Sequence, residues 1–359
     1  MFKSVKYVVL GIISACATTP TWAWRAELIT SGLSVPWGLS YFGNNRLLVT
    51  QRHGEIGVVD IANGNYKKIS SPPQVKALGQ GGMLDVALSP FEPHTFYFTY
   101  SKQVDDVYET VLASAQYKQQ KLVNWQEILV TKSGSDTGRH FGSRITFDDQ
   151  HVYFSVGDRG VRDNGQDLST HAGSILRLKA NGTIPSDNPF VDNKSALNEI
   201  WSYGHRNPQG LFYDKATMKL WSIEHGPRGG DEINLIAKGK NYGWPITSHG
   251  KEYWGPISVG EAKTLPGIES PKKVYVPSIA PGSLILYRGN VYPSLDGKLI
   301  ASALKLTHLN VVSIDGQSTV GGEKRLLESL GERIRDLEVT PKGEILFSTD
   351  SGNIYRLVE

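Results

Sequence analysis

The sequence predicts an all-β chain folded as a six-bladed β-propeller of four-stranded antiparallel blades. Three observations carry this: a loosely repeated unit, period-two alternation within it, and a composition of turn formers and strand aromatics. Gly 38, Pro 18 and Tyr 16 in 359 residues favour short strands and many turns over long helices.

The repeat is clearest at its two ends. Trp37-Gly38-Leu39-Ser40-Tyr41 leads to Arg46-Leu47-Leu48-Val49-Thr50, then Gly54-Glu55-Ile56-Gly57-Val58-Val59. The C-terminal copy runs Asp336-Leu337-Glu338-Val339, Gly343-Glu344-Ile345-Leu346-Phe347-Ser348 and Gly352-Asn353-Ile354-Tyr355-Arg356-Leu357. Four divergent copies begin near Gly82-Met83-Leu84-Asp85, Ser143-Arg144-Ile145, Pro208-Gln209-Gly210-Leu211 and Pro281-Gly282-Ser283-Leu284. Alternating apolar and polar residues mark half-buried antiparallel strands. Spacing of roughly 45 to 75 residues suits four-stranded blades with insertions. A two-sheet sandwich is the rival, but it does not call for six copies of one unit. Residues 186–197 and 254–274 read as loop insertions, so residues 24–359 are expected to form one propeller catalytic domain.

The first residues differ from the rest. Lys3 and Lys6 precede an apolar run from Tyr7 to Ala17, and Thr21-Trp22-Ala23 ends in a small residue. Residues 1–23 therefore read as a signal peptide, too short to be a stable membrane span, rather than as a buried N-terminal element. Cleavage after Ala23 would leave Trp24 first and place the protein in the periplasm or outside the cell. The only cysteine, Cys16, follows Ile13-Ser14-Ala15, which resembles a lipoprotein box. Cys16 is then either a lipid anchor or discarded with the leader; in both cases the mature chain has no disulfide. A net charge of +3 without a basic run argues against nucleic acid or an anionic membrane as partner.

A propeller gathers residues distant in sequence at the mouth of one channel. Four clusters qualify. Gly79-Gln80-Gly81-Gly82 is a flexible loop that brings one amide into a strand, or simply a tight turn. Arg139-His140-Phe141-Gly142 puts a histidine, whose ordinary pKa lies near neutrality, before a strand as a general base or a structural residue. The segments 201–210, 224–234 and 239–245 combine carboxylates, amides and Gly/Pro-exposed carbonyls, hard oxygen donors of the kind calcium prefers, although without EF-hand spacing. Lys305 with Arg333 and Arg335 forms a cationic trio, the two arginines on one strand face. Such charges repel unless an anion lies between them, or unless they are solvated on the surface.

With these segments in view, the sequence resembles the soluble aldose sugar dehydrogenases that use pyrroloquinoline quinone, relatives of soluble glucose dehydrogenase. The resemblance runs from Val35-Pro36-Trp37 to the C-terminus. Its most specific stretches are Glu199 to Gly204 with Arg206-Asn207-Pro208-Gln209-Gly210, and Glu224 to Asn234 with Asn241-Tyr242-Gly243-Trp244-Pro245. It implies His140 as catalytic base, and Gln80, Arg206, Asn207, Tyr253, Ser278, Ala280, Lys305, Arg333 and Arg335 as residues that hold the quinone. The carbonyls of Gly226 and Pro227 would hold an active-site calcium (Ca2+), and Glu232 and Tyr242 a further one. Three positions depart from the family pattern. Arg139 replaces an Asp or Asn and puts a cation beside the base, which depresses its pKa. Val276 stands where glucose-specific relatives carry Trp, and Arg159 where they carry Gln.

The implied reaction is broad-specificity oxidation of the C1 hydroxyl of aldose sugars to lactones. His140 would take the hydroxyl proton while hydride passes to C5 of the quinone; calcium and Arg206 would stabilise charge on the quinone oxygen. An external electron acceptor would complete the cycle, in a monomer or homodimer. Two other functions fit part of the pattern: a calcium-dependent propeller lactonase, and a non-enzymatic extracellular binding propeller.

Overall fold

Apolar runs such as Leu47-Leu48-Val49, Phe96-Tyr97-Phe98 and Val152-Tyr153-Phe154, separated by polar turns, favour extended backbone. The computed structural model describes residues 1, 24–316 and 318–359. After β1 (Arg25–Thr30), blade 1 holds β2 (Pro36–Tyr41), β3 (Arg46–Gln51), β4 (Glu55–Asp60) and β5 (Tyr66–Ser70). Blade 2 holds β6 (Met83–Leu88), β7 (Thr95–Val104), β8 (Val107–Lys118) and β9 (Lys121–Val130). Blade 3 holds β10 (Ile145–Phe147), β11 (His151–Val156), β12 (Ser174–Lys179) and β13 (Ile200–Tyr203). Blade 4 holds β14 (Pro208–Asp214), β15 (Lys219–Glu224), β16 (Asp231–Ile236) and β17 (Lys273–Tyr275). Blade 5 holds β18 (Pro281–Leu286), β19 (Lys298–Ala303), β20 (Leu309–Asp315) and β21 (Ser318–Leu326). Blade 6 holds β22 (Ile334–Val339), β23 (Ile345–Thr349) and β24 (Ile354–Val358), and takes its fourth strand from β1.

The six copies are thus six four-stranded sheets, and the propeller expectation holds. The C-terminal copy supplied only three strands. Its edge is covered by β1, which pairs antiparallel with β24, Arg25 opposite Val358, and closes the ring. The 186–197 insertion contains no strand, whereas the end of the 254–274 insertion enters β17. The leader and Cys16 lie outside the described residues. Among the described residues no helix is long and apolar enough to cross a membrane.

The half-buried alternation expected from the sequence applies only at the periphery. β11 and β18 are buried at every position, whereas the outer β5 and β9 mix half-buried with exposed positions. The reason is geometric: each blade packs both faces against its neighbours. An apolar cluster fills each gap, as Phe42, Ile56, Met83 and Phe98 do between blades 1 and 2. Between blades 6 and 1 the same task falls to Leu346, Ile354, Leu39 and Leu47. Each such side chain contributes about 1.5–3 kcal/mol on burial.

Around the axis the inner strands come too close for side chains. A Cβ on Gly38 would meet Val86 N at 2.8 Å, and one on Gly282 would meet Arg335 O at 2.4 Å. The space left is spanned by Arg144, which is 4% exposed. Its guanidinium donates to Asp85 Oδ1 (2.7 Å), Asp336 Oδ1 (2.7 Å), Gln209 O (3.0 Å) and Gly282 O (2.9 Å), and lies 4.5 Å from the Trp37 ring. From blade 3 it therefore touches the other five.

Antiparallel order fixes where the loops go. In every blade the connection into the first strand and that between the second and third emerge at the same end. The residues singled out from the sequence as a site lie on these connections, on the long 16–17 one or, for Glu232 and Arg335, at the adjoining starts of β16 and β22.

Candidate active site

His140 sits in the connection entering β10 with φ 52°, a left-handed conformation that a non-glycine residue holds only when its surroundings impose it. They do so here. Its N–H donates to Gln80 Oε1 at 2.9 Å, and its Nδ1 donates to Asp158 Oδ1 at 2.6 Å. Asp158, on the 11–12 connection, is itself fixed. Its Oδ1 accepts from Gly160 N (2.8 Å) and its Oδ2 from Trp244 Nε1 (2.7 Å). With Nδ1–H committed to the carboxylate, Nε2 is the basic nitrogen of the neutral ring. Burial lowers the His140 pKa below its ordinary 6.5; Asp158 opposes this, while Arg206 and then Arg139 add to it. The cation predicted to matter, Arg139, is thus the weakest of these influences.

Beside it lies a cavity of about 290 Å³, lined by Gln80, Asn207, His225, Arg333 and Arg335 over Trp37 and Phe141. Arg333 and Arg335 do converge, as their spacing implied, but an internal anion sits between them. Asp350, on the 23–24 connection, accepts from Arg333 Nε (2.8 Å), Arg335 Nε (2.8 Å) and an Arg335 terminal nitrogen (2.9 Å). Burial works against the Asp350 charge, and the two guanidiniums hold its pKa below the usual carboxylate value. The group keeps a net positive charge and unengaged N–H donors. Lys305 is exposed on the 19–20 connection, directly after Leu304 of the lining. Arg206 donates to His225 O (3.1 Å) and lies 5.2 Å from the Trp244 ring, and its buried Nε has no acceptor. An orphan guanidinium donor fits an anionic or carbonyl-bearing ligand.

His225 went unrecognised in the sequence as a site residue. Its Nε2 donates to Pro281 O at 2.6 Å, so Nδ1 is the ring's acceptor. Burial, with Arg206, His140 and Arg335 nearby, lowers its pKa to about 3, so it is neutral and titrates outside the working range.

Gly226, Pro227, Glu232 and Tyr242 come together around one small cavity, joined by Glu224. Glu224 is already committed to His205 Nδ1 (3.0 Å), Asn234 Nδ2 (3.0 Å) and Arg206 N (2.7 Å). Burial and the Glu224 charge push Glu232 up to about 8, and the buried Asn234 Oδ1 has no donor. A pocket lined by two carboxylates and Gly/Pro backbone, with an orphan oxygen on the neighbouring Asn234, suits a hard cation. Tyr242 can offer only its carbonyl, because its hydroxyl donates to Leu235 O (2.7 Å) and accepts from Ala237 N (2.9 Å).

Five predicted quinone contacts, Arg206, Tyr253, Ser278, Ala280 and Lys305, lie outside the 290 Å³ lining, Arg206 facing the small cavity beside Gly226 instead. Ser278 Oγ (2.7 Å) and Ala280 N (2.9 Å) both donate to Asp231 Oδ2, which ties their loop down instead. Tyr253 is 67% exposed and Val276 72%.

The chain is similar to known proteins. The model of the glucose/sorbosone dehydrogenase family matches residues 33–356. The chain belongs to that family. The aldose sugar dehydrogenase of Escherichia coli K12 is 35% identical over 357 residues, covering 95% of this chain and 96% of that one. An uncharacterised protein of Synechocystis is 38% identical, covering 92% of this chain and 84% of its own length. The crystal structure of the Escherichia coli aldose sugar dehydrogenase in its apo form superposes with TM-score 0.89 at 34% identity, covering 94% and 99%. As a member of a family of sugar dehydrogenases the chain is an oxidoreductase, and the His140–Asp158 pair is its candidate proton acceptor.

Asp158, His225 and Asp350 share one reason for going unnoticed. All three follow the second strand of a blade, where segment 224–234 was weighed for cation ligands and Lys305 for its charge, but not for a polar residue at the strand's end. A polar residue directly after the second strand, as in Gly157-Asp158 and Thr349-Asp350, was the available signal.

Proposed function

We propose that this dehydrogenase oxidises the C1 hydroxyl of aldoses to lactones, using pyrroloquinoline quinone and calcium, and passes the electrons to an external acceptor. The observation that carries the reading is the His140–Asp158 pair beside a positively charged cavity, at 290 Å³ near the lower bound for small-molecule sites. The quinone when bound supplies the two-electron acceptor for the sugar's hydride, with calcium as its Lewis acid. The residues do the rest. Arg333, Arg335 and Lys305 offer charge-assisted donors to carboxylates; Gln80 and Asn207 each keep an amide N–H₂ free of the bonds their oxygens make. Arg206 supplies a donor to an oxygen that gains charge. His140 Nε2 receives the C1 hydroxyl proton, and Asp158 stabilises the resulting imidazolium. Calcium is proposed to sit among Gly226, Pro227 and Glu232, with Tyr242 contributing its carbonyl to the same pocket. The exposed Val276, where glucose-specific relatives carry Trp, supports broad rather than glucose-selective use.

The test is reconstitution. Chelator-treated protein should reduce a dye with glucose only when both quinone and calcium are restored, and chelation should abolish the activity again. Lactone hydrolysis without quinone would instead indicate a lactonase; inactivity in both assays would indicate a binding protein. An export signal at residues 1–23 would place the enzyme in the periplasm or outside the cell, and the mass of the mature N-terminus distinguishes removal of Cys16 from its lipidation.

The pH profile follows from the base. His140 works unprotonated, and its pKa lies below 6.5, so activity should hold as pH falls toward 6.5. It should then decline through a single protonation at lower pH. A profile of kcat/KM showing an acidic limb above pH 6.5 would exclude this assignment.

A further inference from the structure

Arg159 carries a pattern of contacts that neither the fold nor the proton-transfer pair requires. Its side chain is wholly buried on the 11–12 connection and is not itself part of the cavity lining. Nε donates to Arg139 O (3.0 Å), one terminal nitrogen to Tyr108 O (2.7 Å) and Ser133 O (3.1 Å), and the other to Thr137 O (3.3 Å). The guanidinium plane lies 3.7 Å from the centroid of the Phe141 ring. Its own carbonyl accepts from Ser135 Oγ (3.1 Å) and Thr137 Oγ1 (2.7 Å). Every one of these partners belongs to β8 or to the connection from blade 2 to blade 3 that carries His140.

Two of the contacts bracket the base, one on the residue before it and one on the residue after. His140 holds a left-handed backbone that costs about 1–3 kcal/mol unless the surroundings over-determine it. Asp158 fixes the imidazole; Arg159, the next residue, fixes the backbone that presents it. No carboxylate touches the guanidinium. Its charge is instead satisfied by carbonyl dipoles, so the fork geometry rather than a simple ion pair is what the site uses.

We propose that Arg159 is a positioning residue for the reaction, clamping the Arg139–Phe141 segment so that His140 keeps its hold on Asp158 and its Nε2 faces the substrate. This rests on the functional reading above in taking His140 as the base. Because Arg159 is buried away from the cavity, its loss should lower kcat while leaving sugar KM within about threefold; a displacement near 1 Å costs about 10²-fold.

The experiment uses the full chain with Arg159→Met and Arg159→Lys. In the cofactor-free proteins, the downfield Nδ1–H resonance of His140, identified by its loss in His140→Asn, reports the bond to Asp158. In Arg159→Met it should disappear or exchange rapidly, and kcat of the reconstituted enzyme should fall about 10²-fold. Arg159→Lys keeps the buried charge and folds if Met does not. Its single nitrogen cannot span four carbonyls, so an intermediate loss of about tenfold is expected. A folded Lys variant with wild-type kcat and an unchanged resonance would overturn the proposal, as would a parallel rise in KM without a change in kcat. If the wild-type chain showed no quinone-dependent oxidation, the functional reading would fall, and the resonance alone would still decide what Arg159 holds.

Discussion

Replacing His140 with alanine is expected to lower kcat by about 10²–10⁴-fold, the usual contribution of a positioned general base. Quinone binding should persist, because the groups that line the cavity, among them Arg333, Arg335 and Asn207, remain in place. The loss should also appear equally in kcat and kcat/KM, since the proton is transferred only in the transition state. Steady-state rates with a sugar, combined with a spectroscopic titration of the quinone, separate the two effects. A variant that turned over normally would remove His140 from the reaction. One that failed to bind quinone would mean that the loop, rather than the base, had been lost. That second outcome is made less expected by Gln80, which contacts the backbone N–H of residue 140 and not its ring.

Replacing Arg144 with methionine should destabilise the whole propeller by about 3–5 kcal/mol at neutral pH, as removal of one partner from a buried ion pair does. The variant leaves Asp85 and Asp336 facing each other across the axis, and leaves the carbonyls of Gln209 and Gly282 without a donor. In the native protein burial already raises the Asp85 pKa, with Arg144 pulling it down and Asp336 pushing it up. Without the guanidinium Asp85 holds its proton still more tightly folded than unfolded. A carboxylate with a raised folded pKa destabilises increasingly as pH rises above its unfolded value near 4; native Asp85 already carries that cost, so the variant's extra deficit sets in above the native raised pKa and should be smallest at pH 5 and largest at pH 9. Adding Asp85→Asn and Asp336→Asn should recover part of the loss. Urea unfolding at both pH values measures this. A pH-independent deficit, or one under about 1 kcal/mol, would show that Arg144 is not the axle its contacts describe.

The two residues differ in how visible they were. His140 could be picked out because a histidine before a strand is chemically distinctive. Arg144, four residues on, read only as the start of a repeat. Its role exists because six inner strands meet around one axis and leave room for a single long side chain. Similarly, spacing put Arg333 and Arg335 on one face and implied an anion between them. The anion the structure supplies, Asp350, comes from a connection 15 and 17 residues away in the chain.

The sequence by itself determined the repeat, hence the six blades and the set of connections from which a site could be drawn. It did so because strand alternation and turn chemistry are local. It could not show that the last blade borrows β1, because that pairing spans almost the full chain. Nor could it show that blade interiors are buried on both faces. The orientation of His140 by Asp158, the commitment of Ser278 and Ala280 to Asp231, and the burial of Arg159 beneath the base are contacts between separate connections. Those were decided only when the ring closed and brought the loops to one end.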